Sequence, residues 1–355
     1  MAAAFNAPLT GVMFVMEEIH HSFDRNILCM GIVSSIVADY VSKLFFGQST
    51  VFNYNTVTFP LGQYWVLILF GIIIGVSGVG YTKIMLKMQE LYKKIPKLSQ
   101  KVKMPIIFIF SGIVGLVLPQ VLCGGHSMVE YLMNDHPSIT VMFSLLVAKF
   151  AFGAVCFASG APGGTLYPLC VLGTYLGATL GSVAIDITGL PTGLWEEFAV
   201  LGMAGFFAAT VKSPITGIVL VFELTGNMKN LLPIATVALI SYAVSDLLGG
   251  EPMYEALLGR ISNKSENLPK SREKIIKSFV IPIGSDLDGK RIKDIDWGRH
   301  ALIITVERGE ESITPNGDLI LKSDDEVVFF ISQRKRAKTE EHLESLFAEQ
   351  YKPIA

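Results

Sequence analysis

Three runs of this 355-residue chain, residues 65–82, 104–129 and 150–185, contain no Asp, Glu, Lys or Arg. A helix crosses the hydrocarbon core of a bilayer with about 20 apolar residues, so each run has the length of a membrane span. Lipid offers no partner to backbone N–H and C=O groups, and runs of this kind therefore dictate a helical membrane domain. Shorter apolar runs at 198–211, 214–222 and 231–245 are each interrupted by Gly, Pro or a charge. Broken helices survive at membrane depth only where protein or a water-filled path covers their free backbone groups, which points to a transporter or channel and away from a simple anchor.

Charge is unevenly placed. Of the 60 Asp, Glu, Lys and Arg residues, 33 lie after position 263, so a nearly charge-free domain precedes an ordinary one. The expected division is a transmembrane domain at 1–261, a mixed-charge linker at 262–274 and a soluble domain at 275–355. With 51% hydrophobic residues and a net charge of −2 there is no basic field for nucleic acid. Cys29, Cys123, Cys156 and Cys170 are scattered through apolar sequence without Cys-x-x-Cys spacing and read as packing residues. Residues 1–8 have neither the basic nor the apolar region of a secretory signal. Lys83, Lys87, Lys93, Lys94, Lys97, Lys101 and Lys103 crowd one connection, which the positive-inside rule assigns to the cytoplasm.

An internal repeat adds to this. Ala2-Ala3, Pro8-Leu9-Thr10-Gly11, Val15 and Glu17 recur at a fixed offset as Ala208-Ala209, Pro214-Ile215-Thr216-Gly217, Val221 and Glu223. Such copies suggest the structural repeats of secondary transporters, often inverted, with the ion site at their interface. The first copy starts at residue 2 and the second near the end of the apolar part. If the repeats are similar in length, the first is incomplete in this sequence.

Gly160-Ala161-Pro162-Gly163-Gly164-Thr165-Leu166-Tyr167-Pro168 enters a long uncharged segment. Glycines before a helix start let backbone approach an ion, and the free N–H groups there favour an anion. A Gly-rich turn between packed helices is the plainer reading of the same residues. No carboxylate is present to hold a metal cation. Glu17, Glu18 and Glu223 are rare acids in this domain, and intramembrane ionisable groups point to function. Proton relay is the leading role for Glu17 and Glu18. A metal cluster of Glu17-Glu18-Ile19-His20-His21, or a helix simply ending at the interface, are the alternatives.

These segments, in this order, resemble the CLC family of chloride channels and chloride/proton exchangers. Residues 2–11 with Glu17-Glu18 resemble the helix carrying the internal proton-transfer glutamate, and Ser159 to Pro168 resembles the G-x-F-x-P chloride motif. Gly202 to Thr225 resembles the penultimate helices, and Gly250-Glu251-Pro252-Met253-Tyr254 the segment with the chloride-coordinating tyrosine. The resemblance implies an all-α membrane domain with inverted repeats, the first of them incomplete. It implies that the amides of Thr165 and Leu166 and the hydroxyl of Tyr254 hold chloride, supported by Gly160, Gly163, Gly164 and Pro168. Leu166 replaces the family's usual Phe. Glu18 aligns with the proton glutamate that passive channels replace with an apolar residue, which favours exchange over the alternative, a passive chloride or fluoride channel. The family's Gly-Ser-Gly-Ile-Pro and Gly-Arg-Glu-Gly-Pro segments are not in this sequence, so the chain by itself is expected not to transport. Family members are homodimers. No cofactor or enzyme chemistry is implied, and a prokaryotic inner membrane is the expected location.

After the linker the period changes. Segments 279–283, 301–306 and 326–331 read as short strands separated by turns at Asp288-Gly289, Arg308-Gly309 and Pro315-Asn316-Gly317-Asp318. This α+β domain resembles RCK-C (TrkA-C) modules, which sense small ligands for transporters. The resemblance implies a cytoplasmic regulatory role; a passive folded tail is the alternative.

Overall fold

The computed structural model describes residues 1–21, 23–47, 52, 57–93, 100–159, 163–226, 230–262, 274–298, 301–309, 311–332, 339, 342–343 and 345–347. The chain forms two compact units, Met1–Arg260 and Ile261–Ala355.

The first unit is helical. Helix α1 (Ala2–Phe5) stops at Asn6, whose left-handed backbone (φ 53°) ends the turn. Helix α2 (Pro8–Phe14) begins on Pro8, which has no N–H to leave unpaired at a first helical position. It runs into a wider turn at Val15–Ile19, closed by the His20 N–H donating to the Val15 carbonyl five residues back at 2.9 Å. Helix α3 (Arg25–Phe46) starts from Asp24, whose carboxylate accepts from the amides of Asn26 and Ile27. Then come α4 (Tyr64–Lys93), α5 (Gln100–Val117), α6 (His126–Asp135), α7 (Ile139–Ala158), α8 (Leu166–Thr188), α9 (Trp195–Val211), α10 (Pro214–Thr225), α11 (Leu231–Leu247) and α12 (Met253–Ser262). Among the described residues five helices are long and apolar enough to cross a membrane: α3, α4, α7, α8 and α9.

Two runs differ from the sequence-based expectation. Residues 104–129 do not make one span. Helix α5 ends at Val117, a tight turn at Pro119–Val121 follows, and α6 starts after Gly125 with φ +95°. Residues 150–185 likewise belong to two helices, the end of α7 and most of α8. The lysine-rich connection is also mostly helix: Lys83, Lys87 and Lys93 extend α4, and Lys101 and Lys103 open α5. Lys94 and Lys97 lie outside the described residues. Helix α3 is not an uncharged run, because Arg25, Asp39 and Lys43 interrupt it. Lys43 pairs with Asp39 one turn earlier at 2.7 Å, which lets both stay in an apolar helix.

The centre of the unit is the α8–α9 pair. A side chain added at Gly173 of α8 would come within 2.8 Å of the Gly202 carbonyl of α9. Glycines at such positions let two backbones meet, the route by which membrane helices gain contact without a hydrophobic drive between them. Fifteen residues of α9, from Glu197 to Val211, are buried, so α9 is the axis around which α4, α8, α10 and α11 pack.

The second unit is a four-stranded antiparallel sheet, order β1-β4-β2-β3, of β1 (Lys274–Val280), β2 (Ala301–Arg308), β3 (Glu311–Ile313) and β4 (Glu326–Ser332). Strands β2 and β4 fall where the alternating apolar pattern places them, whereas the strand expected at 279–283 lies earlier, at Lys274–Val280, and stops before Pro282, which has no N–H to give to a ladder. The short β3 was not legible; Gly309, with φ +62°, makes the tight return from β2. Ile281, Leu287, Val306, Leu321, Val327, Phe329, Ile331, Leu343 and Phe347 form its core.

Candidate anion and proton site

The start of α8 is shaped by what it lacks. Gly163 and Gly164 are exposed, and among the described residues a side chain on either would meet nothing within 4 Å. Neither has a positive φ. Their small size is therefore required neither by a turn nor by close protein packing, and it leaves open backbone in front of the helix. Thr165 is the N-cap, yet its hydroxyl does not close the helix end. It donates instead to the Tyr254 hydroxyl at 3.3 Å. Among the described residues the amides of Thr165 and Leu166 have no acceptor. Free N–H groups at a helix start carry partial positive charge, which makes this end attractive to anions. Pro168 sits in the first turn, where its missing N–H costs no helical bond. Gly160 lies outside the described residues.

Neighbouring elements fix this end. Tyr254, near the start of α12, is half-buried and meets the Phe14 ring edge-on at 5.9 Å. Tyr167 stacks on Phe5 of α1 at 5.7 Å, and its hydroxyl lies 2.7 Å from His126 Nδ1. Leu166 points into the core and is 9% exposed. Gly163, Gly164, Thr165 and Pro168 line a cavity of about 160 Å³ with Lys149, Cys123 and Cys156. Lys149, on α7, is 2% exposed; its ammonium donates to the carbonyls of Val121 and Cys123, both at 2.8 Å, and approaches that of Leu122 at 3.5 Å. Lys149 is the one charged residue in Ile139–Ala158, the signal by which the sequence marks it. Tyr254 is not part of that cavity's lining; it reaches the α8 start through the Thr165 hydroxyl.

The two glutamates expected to carry protons have different surroundings. Glu17 spends both oxygens on the start of α10: Oε1 accepts from the Ile215 amide at 3.1 Å, and Oε2 from the Thr216 amide at 2.7 Å and the Thr216 hydroxyl at 2.8 Å. Glu223, its counterpart in the repeat, does the same for α2, accepting from the amides of Leu9 and Thr10 at 2.8 and 2.7 Å and from the Thr10 hydroxyl at 2.6 Å. The repeat seen in the sequence is thus a reciprocal pair, each copy's acid closing the other copy's helix start. Glu18 is 9% exposed. Its Oε2 accepts from the Ser213 hydroxyl at 2.7 Å, and its Oε1 has no partner among the described residues. It lies in the widened turn after α2, and such turns are common at functional sites. His21 pairs with Glu255, the neighbour of Tyr254, at 3.2 Å. With Glu17 committed to α10 and His21 to Glu255, the alternative metal cluster at 17–21 is dispersed, and among the described residues no group of three or more His, Cys, Asp or Glu gathers for a metal.

Known proteins agree with this architecture. The voltage gated chloride channel family matches residues 1–246, and the TrkA-C domain matches residues 276–344. The H(+)/Cl(-) exchange transporter ClcA of Vibrio parahaemolyticus is 37% identical over 284 residues, which is 77% of this chain and 60% of that protein. ClcA of Klebsiella pneumoniae is 31% identical over 272 residues, 75% of this chain and 58% of that protein. The chain therefore spans about 60% of the length of the curated relatives it matches. The crystal structure of a slow cyanobacterial Cl-/H+ antiporter superposes with a TM-score of 0.70 at 26% identity, covering 74% of this chain and 63% of that one. A CLC-type fluoride/proton antiporter shares the fold, with a TM-score of 0.56 at 20% identity over 68% of this chain and 59% of its own. The order of motifs, the broken helices meeting at the α8 start and the match along residues 1–246 place the chain in the voltage-gated chloride channel (CLC) family, with a TrkA-C domain behind its membrane part.

Proposed function

We propose that this chain forms part of a chloride/proton exchanger. The observation that carries the reading is the meeting of the uncapped α8 start with the Tyr254 hydroxyl through Thr165 at 3.3 Å. In this reading chloride takes hydrogen bonds from the amides of Thr165 and Leu166 and from the Tyr254 hydroxyl, while Gly163, Gly164 and Pro168 keep the approach open and the turn fixed. Gly160 belongs to the same segment. Because main-chain N–H groups supply two of the contacts, Leu166 serves where the family has Phe. Glu18 is the inner proton station: it is buried, has one free oxygen and is held by Ser213. Glu17, placed beside it in sequence, supports the site by closing α10.

The exchangers among the relatives, and Glu18 where channels carry an apolar residue, favour exchange over a passive chloride or fluoride channel. The Gly-Ser-Gly-Ile-Pro and Gly-Arg-Glu-Gly-Pro segments would complete the anion site and supply its gate. The 355 residues alone are expected to give no flux. The protein works in a bacterial inner membrane as a homodimer, with the lysine-rich end of α4 and the TrkA-C domain on the cytoplasmic side, where that domain binds a small ligand and biases transport.

The test is simultaneous recording of chloride efflux and proton uptake in liposomes holding this chain joined to an amino-terminal half that carries the two segments. Protons moving uphill on a chloride gradient are expected. Chloride efflux with no proton movement would replace the exchanger with a channel.

A further inference from the structure

The α9 axis carries a second buried acid that the exchange reading does not use. Glu197, in the first turn of α9, is 0% exposed. Its Oε2 accepts from Asn230 Nδ2 at 2.6 Å, and the same nitrogen donates to the Val57 carbonyl at 3.3 Å. Asn230 precedes α11 as its N-cap and is 1% exposed. Both hydrogens of the amide nitrogen are therefore in use. Two acceptors are left over: Glu197 Oε1 and Asn230 Oδ1 have no partner among the described residues.

An ionised carboxylate in this position would be expensive. Buried charges occur paired or bound to metal, because transfer from water costs several kcal/mol or more. Among the described residues no Lys, Arg or His lies within ion-pairing distance of Glu197. The titratable group facing it from the packed elements is the Tyr64 phenol at the start of α4, which is itself uncharged at neutral pH. Phe198, next to Glu197 on α9, meets the rings of Phe59 and Phe70 at 5.7 and 5.1 Å, so the surroundings are otherwise apolar.

A carboxylic acid and a carboxamide can pair through two hydrogen bonds, amide N–H to one acid oxygen and acid O–H to the amide oxygen. The first of these is present here. We infer that Glu197 and Asn230 together form a proton-binding site, in which one proton on Glu197 Oε1 is shared with Asn230 Oδ1. That proton satisfies both leftover acceptors and removes the buried charge. It ties the starts of α9 and α11 to the segment at Val57. Helix α9 then has a proton-holding carboxyl at each end: Glu197 in its first turn, and Glu18, held by Ser213, just beyond its last. At 1.5 Å per residue the two ends stand roughly 24 Å apart. This inference is independent of chloride/proton exchange and survives if the exchanger proves to be a channel.

Infrared spectroscopy of the 355-residue chain in lipid nanodiscs, at neutral pH in buffer free of sodium, potassium and calcium, tests it. Subtracting the spectrum of Glu197→Gln from the parent's should leave one carboxylic acid C=O band, and that band should lie at the position of a less hydrogen-bonded acid in Asn230→Leu. Glu197→Gln should melt no lower than the parent, because its amide supplies a neutral donor in the same place. Loss of a carboxylate band in place of the acid band would overturn the inference. So would an acid band that disappears when one of those cations is added, since the pocket would then hold a cation.

Discussion

At the residue scale, the open start of α8 is the feature the sequence displays most directly, and for a physical reason. A helix start that leaves amides free needs small residues ahead of it, and Gly163-Gly164 announce that need directly. Tyr254, about 90 positions away, could be joined to Thr165 only through resemblance; spacing along the chain says nothing about a hydroxyl contact between α8 and α12. The hydroxyl's part can be isolated. Tyr254→Phe keeps the ring and its edge contact with Phe14 but removes the donor. A hydrogen bond to a charged group is worth about 1.5–3 kcal/mol, so chloride affinity measured by calorimetry in the completed protein should fall roughly 10- to 150-fold. An unchanged affinity would move the site away from Tyr254. Ser213 and Lys149 went unread for opposite reasons. A serine before a proline is too common to stand out, whereas Lys149 stood out but had a structural task, donating to the carbonyls left free where α5 gives way to α6.

At the scale of elements, the repeat was visible as matching residues, but its use was not. Glu17 and Glu223 sit in helices far apart in sequence, and only the fold shows that each accepts from the other copy's first turn. A carboxylate on a helix start both takes orphan amides and faces the positive end of the helix dipole. Glu17→Ala and Glu223→Ala should each lower stability by about 1–2 kcal/mol, by equal amounts to within the scatter of such values, in denaturant unfolding of the purified chain. A large cost for one and none for the other would deny the symmetry. The broken spans were harder to read. Lack of charge cannot show where a run turns, and the 104–129 run holds Pro119 and Gly125 inside an uncharged stretch. Helix α3 shows the converse: Arg25, Asp39 and Lys43 interrupt its apolar run, and Asp39 and Lys43 pair within the helix.

At the scale of the whole molecule, the chain divides into two units, Met1–Arg260 and Ile261–Ala355, each with its own core, and charge is concentrated in the second. Period was the useful signal in the second unit, since three of its strands alternate; its short β3 has too few residues to show a period. One feature there sets an acid limit. Asp325 is fully buried, which opposes its charge, but the Arg308 guanidinium donates to both its oxygens at 2.7 Å. The Lys322 amide adds a third bond, and together these hold the carboxyl below its ordinary 3.8. A carboxylate depressed in the folded state stabilises above its unfolded value and loses that contribution as pH falls through the folded one. The contribution of the Arg308–Asp325 pair should therefore be fully present above 3.8 and be lost only at lower pH. Removing Arg308 leaves a buried charge and costs about 3 kcal/mol, so Arg308→Ala should open β2 and β4 at higher pH in hydrogen exchange corrected for intrinsic rates. Equal protection in mutant and parent would assign Arg308 no role in the sheet.

The proposed exchange rests on Glu18 as the inner proton station, with chloride held elsewhere by the α8 amides and Tyr254. Chloride-driven proton movement in liposomes tests this most directly, comparing the completed protein with its Glu18→Val variant. Proton uptake should vanish in the variant while chloride flux continues at a comparable rate. Proton uptake that survives the substitution, or chloride flux that disappears with it, would contradict the account.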